Sequence, residues 1–232
     1  MASLISIIFG ATVGSFLNVC IFRLPKEESI IWPGSHCPLC RKPIKFYDNI
    51  PLVSYLLLRG RCRYCHSLIS IQYPLIEGIT ALGSLILFMK FGPSLSYLIY
   101  FAFVAALIVI TVIDLYHQII PDVISLPGIG VGLLASLIIP QITFLNSLLG
   151  VLLGGGDVKL LAMIGAFLGW KAVILTILLG SLIGSITGII IMVSKGKDFK
   201  YAIPFGPFLS LGAVIALFCG PSLINWYLYL NR

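Results

Sequence analysis

Charge is scarce in this chain. Only 10% of its 232 residues are Asp, Glu, Lys or Arg, and just eight are acidic. A soluble globule needs far more polar surface than that, so an ordinary water-soluble enzyme is excluded. Also absent is a glycine-rich nucleotide loop set between a strand and a helix, which leaves no soluble cofactor-binding fold to point to. What fills the chain instead is apolar: 59% of residues are hydrophobic and the mean hydropathy is +1.09. The composition reads as an all-α polytopic membrane protein, because in lipid a helix satisfies its own backbone.

A window of about 19 residues finds apolar segments near 2–22, 75–91, 95–113, 123–139, 142–154, 158–169, 172–193 and 203–219. These are too many and too regularly spaced for a signal peptide followed by a soluble domain. Two of them, 142–154 and 158–169, fall below the roughly 20 residues of a perpendicular span, and are expected to be merged, thinned or re-entrant. The expectation is a bundle of about seven to eight transmembrane helices in three parts: a first span at 1–22, a cytoplasmic loop domain at 23–72, and a membrane-embedded helix bundle at 73–232.

Charge orients that bundle. The longest polar stretch, 23–72, carries Arg23, Lys26, Arg41, Lys42, Lys45, Arg59, Arg61 and Arg63, and a second basic loop carries Lys195, Lys197 and Lys200. Both belong in the cytoplasm by the positive-inside rule. Alternating crossings then bring the ends near Asp114 and Asp157 to the same face. The net charge of +7 is mainly a topology signal, for which anionic lipid headgroups are a sufficient partner. Nothing in it calls for nucleic acid, and no feature fixes an oligomeric state.

Within the large loop, "HCPLC" and "CRYC" place Cys37, Cys40, Cys62 and Cys65 as C-x2-C, a 21-residue gap, and C-x2-C. Two residues between each pair let both sulfurs of a tight turn face one ion. Four thiolates make a closed, structural zinc site with no open coordination position for catalysis. In a reducing compartment disulfides are the lesser use of these cysteines. His36 and His66 flank the knuckles and read as solvated loop residues or substitute ligands, whereas Cys20 and Cys219 lie in apolar runs and read as small buried hydrophobes. A loop this short draws much of its stability from the metal.

Four acidic residues, Glu77, Asp114, Asp122 and Asp157, stand at or inside the apolar runs, where a carboxylate is costly and usually functional. Asp114 ends "FAFVAALIVITVID", with His117 one turn on as the nearest cation in sequence. Asp122 follows a proline and reads as a helix N-cap. Asp157 follows Gly154, Gly155 and Gly156, whose freedom permits close approach of an extended peptide or another helix; packing of small residues and a helix cap assisted by Lys159 are the plainer alternative. Two carboxylates brought together share a proton, so that one activates water while the other polarises a peptide carbonyl.

In this order, "GSFLNVCIFRLP" at 14–25, the paired Cys-x-x-Cys loop, "YPLIEG" from Tyr73, "IDLYHQIIPD" ending at Asp122, "GGGDVKLLAMIGAFLGW" ending at Trp170 and "IPFGPFL" from Ile203 resemble the type IV prepilin peptidases, bifunctional leader peptidases and N-methyltransferases. The resemblance runs over nearly the whole chain. It implies a Gly-x-Gly-Asp membrane aspartic peptidase of the bacterial inner membrane. Such an enzyme cuts the basic leader from prepilins or pseudopilins of type IV pili and type II secretion at the cytoplasmic face, after a glycine. It then methylates the new amino terminus with S-adenosylmethionine. By motif position the catalytic pair is Asp114 and Asp157, with Asp122, Gly154, Gly156 and Lys159 in support. Glu77 is a further motif carboxylate, for orienting the substrate amine or balancing the cofactor's sulfonium; pairing with a loop arginine such as Arg63 is its bland alternative.

One departure from the family pattern stands out. Relatives carry a full apolar span and a charged, glycine-containing lead-in before the second aspartate, whereas "NSLLGVLLGGGDVKL" runs from Asn146 to Leu160 with no charge before Asp157. A presenilin-like intramembrane protease would share the Gly-x-Gly-Asp element but show Pro-Ala-Leu, where this chain has "PFGPFL". A proton-coupled transporter would use the buried aspartates as a relay, and a zinc-anchored assembly factor would not need them; the transporter leaves the cysteine loop unexplained.

Overall fold

The computed structural model describes residues 1–139, 142–154, 159–195 and 203–230. Asp157, with Gly155, Gly156 and Val158, lies outside the described residues, so the expectations placed on Asp157 and Gly156 have no structural counterpart. The chain is helical: α1 (Ala2–Arg23), α2 (Val53–Leu57), α3 (Gln72–Phe91), α4 (Leu95–His117), α5 (Asp122–Ala135), α6 (Phe144–Gly154), α7 (Lys159–Leu168), α8 (Trp170–Lys195) and α9 (Gly206–Leu230). Among the described residues there is no strand, only two isolated β-bridges in the loop between α1 and α3.

Among the described residues five helices, α1, α3, α4, α8 and α9, are long and apolar enough to cross a membrane. The other three apolar helices, α5, α6 and α7, are shorter, so five of the seven or eight crossings expected are matched by helices of full length. At about 1.5 Å per residue the 14 residues of α5 and the 11 of α6 reach only part of the way across a core of about 30 Å. The apolar segment expected at 123–139 stops as a helix at Ala135, and its last residues form turns.

Contacts divide the chain into two compact units, 1–109 and 110–232. In the first, α1 packs on α3 through small residues, since a Cβ on Gly10 would lie 2.6 Å from Ser84 Cβ and one on Gly14 2.8 Å from Glu77 Cα. Removing the side chain at the crossing lets two apolar backbones meet where lipid offers no competing drive. Polar ties reinforce the pair: Ser84 Oγ donates to Ser6 O at 2.7 Å and Asn18 Nδ2 to Tyr73 O at 3.2 Å. In the second unit the short helices depend on the same device. A Cβ on Gly150 of α6 would lie 2.6 Å from Gly165 O of α7, and Gly154 is pressed against Leu161 and Ala162. For Gly154 the plainer packing alternative is therefore what the described structure contains. Gly132 of α5 meets Ala166 of α7, and Gly212 of α9 meets Thr176 of α8.

Candidate active site and metal centre

The loop between α1 and α3 folds as two copies of one turn. In the first, Cys37 N–H donates to Lys42 O at 3.0 Å, Arg41 N–H to Cys37 O at 2.9 Å and Ile44 N–H to Ser35 O at 2.9 Å. In the second, Cys62 N–H donates to Ser67 O at 2.9 Å, His66 N–H to Cys62 O at 3.0 Å and Ile69 N–H to Gly60 O at 2.8 Å. Each bond recurs 25 positions on, as do the bridges His36–Pro43 and Arg61–Leu68. Arg41 and His66, the residues after the second cysteine of each knuckle, both take left-handed backbone angles, φ 56° and 55°.

This geometry gathers four sulfurs. The Sγ atoms of Cys37, Cys40, Cys62 and Cys65 all lie within 4.8 Å of one another, and Cys37 and Cys65 are 3.8 Å apart. A tetrahedron with metal–sulfur bonds of about 2.3 Å has sulfur–sulfur edges of about 3.8 Å, so the donor set fits a four-coordinate ion. Two of the thiols are pulled in opposite directions. The Cys40 amide, foremost, with that of Leu39, outweighs burial and pulls the Cys37 thiol down to about 6. Cys40 is pulled down by the Lys42 amide, yet burial and the neighbouring thiols push it up to about 11. A divalent cation removes that conflict by taking every sulfur as thiolate. His36 and His66 are solvent-exposed and stand outside the cluster of ligand atoms. Cys20 is buried as expected, but Cys219 is exposed on α9, because an apolar run does not by itself say which of its faces meets other helices.

Arg63 does not pair with Glu77. Its guanidinium forks onto Asp48, with Nε 2.7 Å from Oδ2 and Nη2 2.6 Å from Oδ1, which joins the linker between the knuckles to the second of them. This bond, before all else, holds the Asp48 carboxyl below the usual carboxylate range. Glu77 is buried, 7% exposed, and its Oε2 accepts the Leu52 N–H at 2.7 Å. Leu52 has φ 62°, a strained angle for a branched side chain, and it is this turn that aims its amide at Glu77.

Asp114 continues the buried stripe of α4 formed by Phe103, Leu107 and Ile110, and is itself 6% exposed. It lies one turn from the helix end at His117. His117 is exposed and, among the described residues, makes no ion pair with it; the partner is instead a backbone amide, Gly206 N–H, 2.8 Å from Oδ2. Asp122 is the first residue of α5 rather than its cap, a place taken by Pro121. Its carboxylate receives Lys159 Nζ at 2.6 and 2.5 Å, so Lys159 at the start of α7 serves Asp122. Sequence reasoning missed Leu52 and Gly206 as partners because each acts through a backbone N–H, which leaves no letter behind; the only signal was the presence of Gly206 in "IPFGPFL".

Fold and site together define a multi-pass helical membrane protein with a four-cysteine metal-binding loop and a buried carboxylate at the end of a span. Residues 8–91 match the bacterial peptidase A24 N-terminal domain, and residues 101–189 match the type IV leader peptidase family. The chain belongs to the type IV leader peptidase family, a family of aspartic proteases. It is 36% identical over 265 residues to the prepilin leader peptidase/N-methyltransferase of Legionella pneumophila, covering 95% of this chain and 92% of that protein. Likewise it is 35% identical to the enzyme of that name from Aeromonas hydrophila, covering 95% and 92%, and 35% identical to that of Pseudomonas aeruginosa, covering 97% and 93%. No solved structure matches the chain. The Legionella alignment of 265 positions exceeds the 232 residues here, so at least 33 of its positions, 265 less 232, have no counterpart in this chain. Membership of a peptidase family sets the transporter reading aside.

Proposed function

We propose that this protein is a prepilin leader peptidase and N-methyltransferase of the bacterial inner membrane. It cuts the basic leader of type IV prepilins or pseudopilins at the cytoplasmic face, using Asp114 and Asp157 as the catalytic dyad. The observation that carries the reading is Asp114: a carboxylate sealed in a helix bundle one turn from the end of a span. A prepilin lodges an apolar helix in the bilayer with its leader in the cytoplasm, so its cut site lies at that level. One aspartate, ionised, takes a proton from water as the oxygen attacks the scissile carbonyl; the other, protonated, donates to the carbonyl oxygen. Collapse of the tetrahedral intermediate returns a proton to the leaving amine. The Asp122–Lys159 pair supports the site by tying the start of α5 to the start of α7.

The three parts are a first span at 1–22, a cytoplasmic loop at 23–72 closed by one zinc ion on Cys37, Cys40, Cys62 and Cys65, and the peptidase bundle at 73–232. Zinc is structural here, since four protein ligands leave no position for water. S-adenosylmethionine supplies an activated methyl group for the new amino terminus. Glu77 is the residue we assign to that step, as a buried acceptor for a cationic amine or sulfonium. Ser15, which borders Glu77, also lines a cavity of about 320 Å³ with Arg23, Ile31, Ser35 and Asn49, at the small end of the range for ligand pockets.

Cleavage of a purified prepilin, read by product mass, tests the dyad. Asp114→Asn and Asp157→Asn should each reduce turnover by at least 10³-fold while helix content is retained; cleavage surviving in either variant removes that residue from the dyad. Glu77→Gln should cleave normally yet fail to add the methyl mass, and full methylation of precut pilin by Glu77→Gln would sink its assignment.

A further inference from the structure

The first turn of α9 carries a device of its own. A helix start leaves four backbone N–H groups without intrahelical partners. In α9 three of these positions are Gly206, Pro207 and Phe208. Pro207 has no N–H to offer. Phe208 and Leu209 both donate to Phe205 O at 3.1 Å. Of these three positions only Gly206 has an amide still to place, and it meets Asp114 Oδ2 at 2.8 Å. The helix brings no acidic residue of its own to its first turn, so Asp114 is the anion placed at the positive end of its dipole.

The position also tolerates no side chain. An ideal Cβ on Gly206 would stand 2.6 Å from Asp114 Oδ2, 3.1 Å from its Cγ and 3.4 Å from its Cβ. The hydrogen bond and the missing Cβ are separate requirements, and glycine at 206 followed by proline at 207 meets both.

We propose that the first turn of α9 is a single-amide clamp on Asp114, and that Gly206 is a positioning residue for the peptidase reaction. With Oδ2 pinned to an amide, rotation of the carboxylate about its χ2 bond is arrested, and Oδ1 keeps a fixed direction for the reacting water. The proposal rests on the peptidase reading in assigning a reaction to Asp114; the clamp itself does not.

The test uses the full chain in detergent with a purified prepilin. Gly206→Ala should lower kcat about 100-fold, the loss expected of a displacement near 1 Å, with KM within about threefold, as for an interaction that matters in the transition state alone. Glycolic acid incorporated at 206 replaces the N–H by oxygen and adds no atom. It should lose kcat in the same way and stands in for the alanine variant if that variant fails to fold. An unchanged kcat in the folded ester protein overturns the clamp. An arm independent of activity reads carbodiimide labelling of Asp114 by peptide mass, with Asp122 in the same chain as reference. Loss of the amide should raise the Asp114:Asp122 ratio at least fivefold; an unchanged ratio overturns the proposal. If the parent chain cleaves no prepilin, the peptidase reading fails, and the labelling arm still decides whether Gly206 holds Asp114.

Discussion

Two carboxylates outside the proposed dyad have contrasting partners, and the contrast sets what each contributes. Asp122 and Lys159 are each about half exposed, 53% and 52%, and an ion pair of that kind is worth at most about 1 kcal/mol in water. Lys159→Met should therefore shift the thermal midpoint little; a large drop would mean that the tie is worth more than a solvated ion pair. Asp48 is different, with a side chain only 6% exposed and a two-pronged arginine on it. Because Arg63 holds its carboxyl below the usual range, the bond's contribution is present above the unfolded value of about 3.9. It is lost only as pH falls through the lower folded value. Asp48→Asn should hence melt the loop earlier than the parent at pH 7, and the two melting curves should converge only below about pH 4. Convergence near pH 6 would instead trace the effect to the thiols.

Among elements, the short helices make the sharpest forecast. Gly165→Ala places a methyl group against the backbone of Gly150 and should destabilise the α6–α7 contact by about 1–3 kcal/mol, the usual cost of overpacking. Gly130 in α5 has nothing within 4 Å of its missing Cβ, so Gly130→Ala should be neutral or mildly stabilising through a less flexible unfolded chain. Thermal scans of the two variants check both, and equal losses would refute the contact. The sequence made most elements readable because lipid enforces long apolar runs: α1, α3, α4, α8 and α9 all fall on segments visible in hydropathy. The end of α5 at Ala135 was not visible, since Leu137, Ile138 and Ile139 are as apolar as the helix before them and hydropathy does not register backbone angles. Asp114 and the four cysteines announced themselves by residue type. The repeat within the loop did not, because "SHCPLCRKPI" and "GRCRYCHSLI" share only two cysteines and an isoleucine; the rest of the likeness lies in hydrogen bonds. Why Asp122 is the first helical residue rather than the cap follows from Pro121, whose fixed φ already suits the entry.

For the molecule as a whole, metal content is the decisive quantity. Elemental analysis should find one zinc per chain. Strong chelation should open the loop between α1 and α3 to protease, because for a site this small the metal contributes on the order of 10 kcal/mol to folding. The spanning helices, held by lipid and by their glycine contacts, should keep their circular dichroism, and loss of all helical signal would make zinc a requirement of the entire fold. The duplicated turn adds a matter of timing. The two knuckles lie 25 residues apart, and at the ribosome's pace of about 5–20 residues per second the first emerges roughly 1–5 s before the second. During that interval a nascent chain offers only Cys37 and Cys40 of the four sulfurs. The four-sulfur cluster is therefore complete only once Cys62 and Cys65 have followed Cys37 and Cys40 off the ribosome.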